Sequence, residues 1–308
     1  MPEPALYVDQ LHKAFSAVVA VNRVSFQVER GEIFGLLGPN GAGKTTTIRM
    51  LMDILKPDSG TARVLGAEPG VARMRVGYLP EERGLYRGLR VHECLTYFGQ
   101  LKGMAKADAA RRASQLLERV ELADRAKAKV QELSRGMQQK LQIAATLIHE
   151  PELVILDEPF QGLDPVNVDL VRGLIRELRG QGKTVVLSAH EMSLVESLCE
   201  RIGLIHQGEI VLYGGLREIK QQFSPNALEI SPPLDLTGWP EVDRYQTHAS
   251  ANGSPSTQRV YLKLGVAHRD FLKAIVERGL TVERFEMASM PLDEIFIQVV
   301  TGNGEAGG

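Results

Sequence analysis

The sequence predicts an α/β protein: a largely parallel sheet, a helical insertion between two of its strands, and a small α+β domain at the C-terminal end. Three observations carry that prediction. Gly38 to Thr46 reads GPNGAGKTT, which fits the phosphate-binding loop pattern GxxxxGK[ST] and stands between a strand-like apolar run and a helically spaced one. Leu153 to Pro159 reads LVILDEP, a continuous apolar run ending in two acids, as expected of a buried parallel strand. Between them, from Val91 to about Glu150, the apolar residues recur at helical spacing.

A chain of 308 residues can bury a substantial core and suggests two domains. Its formal net charge of −2 offers no bulk attraction to nucleic acid or to anionic lipid. Cys94 and Cys199 are far apart and outside any CxxC pair, so they read as thiols in a reducing compartment and not as a disulfide framework or metal site. MPEPALYVDQL lacks the basic start and apolar core of a secretion signal, and no segment has the ~18 uninterrupted apolar residues of a membrane span. A soluble cytosolic protein is expected, unless a partner carries it to a membrane.

Along the chain, ALYVDQL and VSFQVE alternate apolar and polar residues, as edge strands do, before the buried strand EIFGLL. Phe15 lies between them in HKAFSAV, ahead of the loop by a distance that lets it return toward a nucleotide; it suits either stacking on an adenine or a place in the core. Gly38, Gly41 and Gly43 let the backbone curl so that N–H groups converge on one anion, with Pro39, Asn40, Ala42 and Thr46 completing the loop. Lys44 supplies a point charge for the β and γ phosphates, and the Thr45 hydroxyl can join the shell of a Mg²⁺ ion. TTIRMLMDIL is the helix that follows, stopped at KPDSG, after which TARVLG and then RVGYLP are further extended segments.

The helical insertion contains LTYFGQL, ASQLLERV and KLQIAATLI, the last opened by the Ser–Gly turn LSRGMQQK. That turn exposes N–H groups and a hydroxyl at a helix start, which serves either as a second phosphate contact or as a helix cap. Asp157, at the end of LVILDEP, can bind Mg²⁺ through water, and Glu158 can orient or deprotonate an attacking water. FQGLDP is a turn ending at Asp164 and Pro165, and VDLVRGLIRELRG is an amphipathic helix. TVVLSAH, the next buried strand, should neighbour LVILDE and so deliver His190 to the γ-phosphate side of the same edge. IGLIHQGEIVLYG reads as a hairpin around Gln207 and Gly208.

In combination and order, these motifs resemble the nucleotide-binding subunit of ABC (ATP-binding cassette) transporters over roughly the first 220 residues. The resemblance implies a P-loop NTPase cassette fold over residues 1–222, with its helical subdomain at about 85–150. It implies ATP and Mg²⁺ as cofactors, Phe15 stacked on adenine, Lys44 and Thr45 on phosphates and metal, and Asp157 as the Mg²⁺-side acid. Glu158 would be the general base and His190 the residue sensing the γ-phosphate. Ser134 and Gly136 would contact a nucleotide on a second cassette, because this family dimerises head to tail, and Asp164 would sit at that interface. The implied activity is ATP hydrolysis driving a transmembrane partner. Three positions depart from the commonest pattern: Glu81 replaces a glutamine and could still serve as a metal ligand, Arg135 and Met137 replace a glycine and a glutamine, and Gln161 replaces a serine. With YLPEERGLY and the long C-terminal extension, these variants look like bacterial exporter cassettes whose permeases are separate ABC-2-type proteins. The implied assembly is a homodimer on the cytoplasmic face of the plasma membrane. The alternative is a soluble cassette ATPase on ribosomes or DNA, against which stand a single cassette and the lack of a basic run.

Beyond about Phe223 the composition shifts. SPNALEISPPLDLTGWP and THASANGSPSTQ read as loops, with the strands ALEIS, RVYLKLG and TVERFEM and the helices HRDFLKAIVERG and PLDEIFIQVV between and after them. Residues 223–300 are thus expected to form a small α+β domain without a catalytic cluster, either a packing or dimer-stabilising appendix or a ligand sensor. Residues 301–308, TGNGEAGG, are expected to be disordered.

Overall fold

The computed structural model describes residues 3–82, 84–223, 226–248, 256–263, 265–288 and 290–301. The chain divides into two compact units, Met1–Leu216 and Arg217–Gly308.

The first unit opens with an antiparallel hairpin, β1 (Leu6–Phe15) and β2 (Val18–Val28). β3 (Ile33–Leu37), wholly buried, leads through the glycine loop into α1 (Lys44–Leu51), and β4 (Ser59–Val64) returns to pair with β1. Of the two segments expected as edge strands, β2 is one and β1 is not: with β4 they make a separate three-stranded antiparallel sheet in the order β2-β1-β4, with β1 at its centre. Their alternation reflects one face packed on the core, where the Phe26 ring stacks on Phe34 of β3 at 5.5 Å between centroids.

After α2 (Pro69–Ala72) and β5 (Val76–Leu79) comes the helical insertion, α3 (Val91–Leu101), α4 (Lys106–Arg119) and α5 (Arg135–Leu147). β6 (Leu153–Asp157), α6 (Pro165–Gly180), β7 (Thr184–Ala189), α7 (Met192–Glu196) and the hairpin β8 (Arg201–His206) with β9 (Glu209–Gly215) complete the unit. The six-stranded sheet has the order β5-β6-β7-β3-β8-β9, parallel except for β9 at its edge. β3, β6 and β7 sit side by side at its centre, with Leu36, Ser188 and Asp157 in register. Each is covered on both faces, which is why each reads as an unbroken apolar run. Their C-terminal ends deliver the polar residues of the site to one edge, where ligands of open α/β sheets bind.

α5 packs on β5 through His149, just past its end. The His149 Nε2 faces the Val76 carbonyl at 3.1 Å, and burial, with the Lys102 charge behind it, pulls the imidazole down to about 4. The unfolded chain therefore takes up this proton at higher pH than the fold does. Stability tied to His149 is complete above about pH 6.5 and lost as pH falls toward 4. The ceiling is about 3 kcal/mol, which solvent around the half-buried ring reduces to about 1–2 kcal/mol. Urea midpoints at pH 7 and 4.5 should show His149→Gln losing that much less stability than the parent across the interval.

α8 (Leu216–Phe223) spans the division between the units, and the second unit continues with β10 (Ala227–Ser231), β11 (Val242–His248), β12 (Thr257–Leu262), α9 (His268–Glu277), β13 (Arg284–Met287) and α10 (Leu292–Thr301). The strands form an antiparallel sheet in the order β11-β12-β10-β13, with Phe271 and Ile275 of α9 in a core with Leu228, Ile230 and Val260. Sequence patterning missed β11, VDRYQTH: as an edge strand it buries only Val242 among the positions through Thr247, so it carries no hydrophobic alternation. It also missed α2, α7 and α8. Pro291 stands just before α10, its carbonyl accepting from the Ile295 N–H at 3.1 Å. Of the tail expected to be disordered, residues 302–308 lie outside the described residues, as do residues 249–255 of the THASANGSPSTQ loop.

Candidate functional site

The glycine loop turns out of β3 into α1 with Gly38 at φ 149°, Gly41 at φ 78° and Gly43 at φ 110°. A Cβ on Gly38 would lie 2.1 Å from the Ile205 carbonyl oxygen, and one on Gly43 2.4 Å from that of Ala20. Those two positions need glycine both for conformation and for clearance. The loop is fastened to its surroundings by a chain of backbone bonds, Asn22 N–H to the Gly208 carbonyl (2.7 Å) and Gly208 N–H to the Ala42 carbonyl (3.0 Å). Thr47 adds its N–H and its hydroxyl to the Gly43 carbonyl, each at 2.9 Å. Thr45 and Thr46 are half-buried, and Asn40 and Gly41 are exposed at the rim. Buried Lys44 bends back over the loop, its Nζ donating to the carbonyls of Gly38 (2.7 Å) and Pro39 (3.2 Å) and standing 3.6 Å from Glu158 Oε1.

Asp157 and Glu158 come from the end of β6. Asp157 is fully buried; the Ser188 hydroxyl of β7 donates to its Oδ1, and Oδ2 has no hydrogen-bond partner. Ser188 Oγ also accepts from the Glu158 N–H at 3.1 Å, so one hydroxyl orients both acids. Glu158 has φ 50°, a left-handed backbone that costs a non-glycine residue about 1 kcal/mol and turns its side chain back across the sheet edge. There its Oε2 lies 2.8 Å from His190 Nδ1. Because a carboxylate only accepts, the imidazole proton resides on Nδ1 in this contact. Burial, and after it the Asp157 charge, push the Tyr78 phenol of β5 up to about 12, so it remains an O–H donor.

Lys44, Asp157, Glu158 and His190 are thus brought together at one edge of the sheet, joined by Ser188, which the sequence reading passed over. Its position two residues before His190 on a buried strand places it on the same side, the signal that could have found it. Ser188→Ala is expected to leave the buried Asp157 carboxylate without its donor and to cost about 2–4 kcal/mol, read as a shift in the urea midpoint.

Other named residues stand elsewhere. Phe15 ends β1 with 47% of its surface exposed and Lys13 Nζ 5.6 Å from its ring centre, which removes the core alternative. Ser134 is the N-cap of α5, its Oγ accepting from Met137 N–H at 3.3 Å, and Gly136 faces Leu163 and Gly162. Asp164 caps α6, and the Asn167 backbone and side-chain amides hold its carboxyl below the usual range. Glu81 is exposed in the loop after β5, and the contacts holding that loop run through Glu82: its carbonyl accepts from Gln142 Nε2 at 3.2 Å. Gln139, one turn earlier on α5, donates to the Pro159 carbonyl at 3.1 Å. Buried amides on α5 thus reach both the Glu81 loop and the peptide beside Glu158, a link no motif announced.

A mononucleotide fold with this edge defines a phosphate-binding ATPase. Residues 21–161 match the ABC transporter family, and residues 214–300 match the C-terminal domain of DrrA1-3-like ATP-binding proteins. The ABC transporter ATP-binding protein YhaQ of Bacillus subtilis is 37% identical over 300 residues, 96% of this chain and 98% of its own. The Nod factor export ATP-binding protein I of Paraburkholderia xenovorans is 43% identical over 70% of this chain and 72% of its own, and the linearmycin resistance ATP-binding protein LnrL of B. subtilis 41% over 68% of each. Among solved structures, the ATP-binding subunit of an ABC transporter superposes with TM-score 0.66 at 33% identity, over 71% of this chain and 93% of that one. The chain belongs to the ATP-binding subunits of ABC transporters. It binds and hydrolyses ATP to power transport.

Proposed function

We propose that the chain drives an exporter whose membrane-spanning subunit is a separate ABC-2-type permease, and that it acts as a homodimer on the cytoplasmic face of the plasma membrane. The observation that carries the ATP-hydrolysing part of this reading is the convergence of Lys44 and His190 on the two oxygens of Glu158, at 3.6 and 2.8 Å. Export is supported by the relatives whose names record Nod factor export and linearmycin resistance. Among the described residues no helix is long and apolar enough to cross a membrane.

The residues present fit Mg²⁺ and ATP. Cβ-free positions line the phosphate loop, Asp157 Oδ2 is a buried oxygen without a partner, and Thr45 and Asp157 offer the hard oxygen donors that Mg²⁺ takes. Among the described residues no cluster of three His, Cys, Asp or Glu side chains could hold a metal unaided, so the ion is expected to be shared with the phosphates. When bound, it would neutralise charge between the β and γ phosphates. The loop amides and Lys44 would hold the phosphate chain and Phe15 would lie under the adenine; Thr45, Asp157 (through water) and Glu81 would hold the metal. Glu158 accepts the proton of the attacking water. His190 keeps Oε2 occupied, so the proton goes to Oε1, which has no hydrogen-bond donor on it. Ser134 and Gly136 meet the nucleotide of the other cassette, with Asp164 at the interface.

The test is a mild-detergent pull-down of tagged Glu158→Gln protein with ATP. Recovery of a multi-span membrane protein is expected. Ribosomal or DNA-bound partners, with the membrane fraction empty, would overturn the exporter reading and leave the ATP site standing.

A further inference from the structure

Phe15 stands where its own strand is held least. β1 pairs with β2 out to Phe15 opposite Val18, but the register slips between Leu11 and Lys13 and again between Lys13 and Ala14. On its other side, the pairing of β1 with β4 ends at His12 opposite Ser59. Lys13, Ala14 and Phe15 therefore project past the β4 ladder, and nearly half of the Phe15 surface is open to solvent. A ring on an unanchored strand end must be ordered each time a base settles on it, which costs affinity. Asp58, the residue just before β4, supplies the anchor. Its N–H donates to the His12 carbonyl at 2.9 Å, its Oδ2 accepts from the Ala14 N–H at 2.8 Å, and its Oδ1 accepts from Lys13 Nζ at 2.6 Å. One short side chain thus continues, past the last rung, the ladder that the β4 backbone has left.

We infer that Asp58 is a positioning residue for the nucleotide base: by fixing Ala14 and the Lys13 ammonium, it presents Phe15 as a preorganised platform. The inference rests on the reading of Phe15 under the adenine. Lys13 and Phe15 are two residues apart on one strand and so share a face, and the Nζ that Asp58 holds lies over the ring, 5.6 Å from its centre. That ammonium covers one side of the ring and leaves the other for a purine. The Lys13 side chain is 15% exposed, so its charge is set against the ring and the carboxylate more than against water. The Ala14 N–H, and after it the Lys13 ammonium, hold the Asp58 carboxyl below the usual carboxylate range, and the clamp stays charged at neutral pH. Asp58 acts on the nucleotide only through Lys13 and the ring.

The test is a double-mutant cycle on the full chain, read as calorimetric affinity for ADP with Mg²⁺, a probe that carries the base and is not turned over. Phe15→Ala is expected to weaken ADP binding about ten-fold, the order that stacking of a base on an aromatic side chain supplies. Asp58→Ala keeps the ring and removes the clamp, and should weaken binding about five-fold, a part of the same stacking contribution. In the Phe15→Ala background the Asp58→Ala change should cost nothing further, because a residue that acts through the ring then has nothing to position. A merely structural role would weaken binding in both backgrounds. Unchanged affinity in Asp58→Ala, or an equal loss with and without Phe15, would overturn the positioning role and leave the Phe15 reading standing. Unchanged affinity in Phe15→Ala would instead remove the base platform, and this inference with it.

Discussion

Glu158→Gln is expected to lower ATP turnover about 10²–10⁴-fold while ATP binding is kept, because a positioned general base contributes on that order to water attack. The substitution is nearly isosteric. The amide can still face His190 Nδ1 across 2.8 Å, and the backbone bonds to Ser188 at 3.1 and 3.3 Å do not involve the side chain. What changes is the charge 3.6 Å from Lys44 Nζ. Removing it leaves the ammonium free for phosphate, so affinity for ATP should hold or rise. Phosphate release and equilibrium binding of ATP, measured on the same preparation, separate the two effects. Turnover at the parental rate would remove Glu158 from the role of base.

Gly43→Ala is expected to fail more broadly. Its Cβ would meet the Ala20 carbonyl oxygen at 2.4 Å and the Gly208 Cα at 3.6 Å, both backbone atoms that no side-chain rotation can clear. The residue also caps α1 at φ 110°, where an L side chain is strained even in open space. The loop, the β1–β2 hairpin and the β8–β9 turn would have to part. A loss of about 2–4 kcal/mol in urea unfolding and of at least ten-fold in ATP affinity is the expected result. Gly41→Ala is the matched control. It has φ 78° but nothing within 4 Å of the added carbon, so its cost should be about 1 kcal/mol of backbone strain.

Residues whose job is visible in their own local pattern were legible in advance. The glycine loop, the apolar strand ending in Asp157 and Glu158, and the strand ending in His190 each announce themselves through spacing that a buried parallel strand or a tight anion turn imposes. Ser188, Gln139 and Gln142 were not legible, since a serine in a strand or a glutamine in a helix has no such signature. Their importance lies in what faces them: a buried carboxylate, the Pro159 carbonyl and the Glu82 carbonyl. β11 escaped for the opposite reason, a strand whose exposed edge leaves no periodicity to read.

By itself, then, the sequence determined the order of strand, loop and helix, the acids at the end of β6 and the glycines that a phosphate loop requires, because these follow from backbone sterics and the period of burial. Tertiary structure decided the rest. Placing β7 between β6 and β3 set Ser188 level with Asp157 and carried His190 to Glu158, contacts between residues about thirty positions apart that only strand pairing can specify. It likewise separated β1, β2 and β4 into a sheet of their own, since the stacking of Phe26 on Phe34 depends on a neighbour that local sequence does not name.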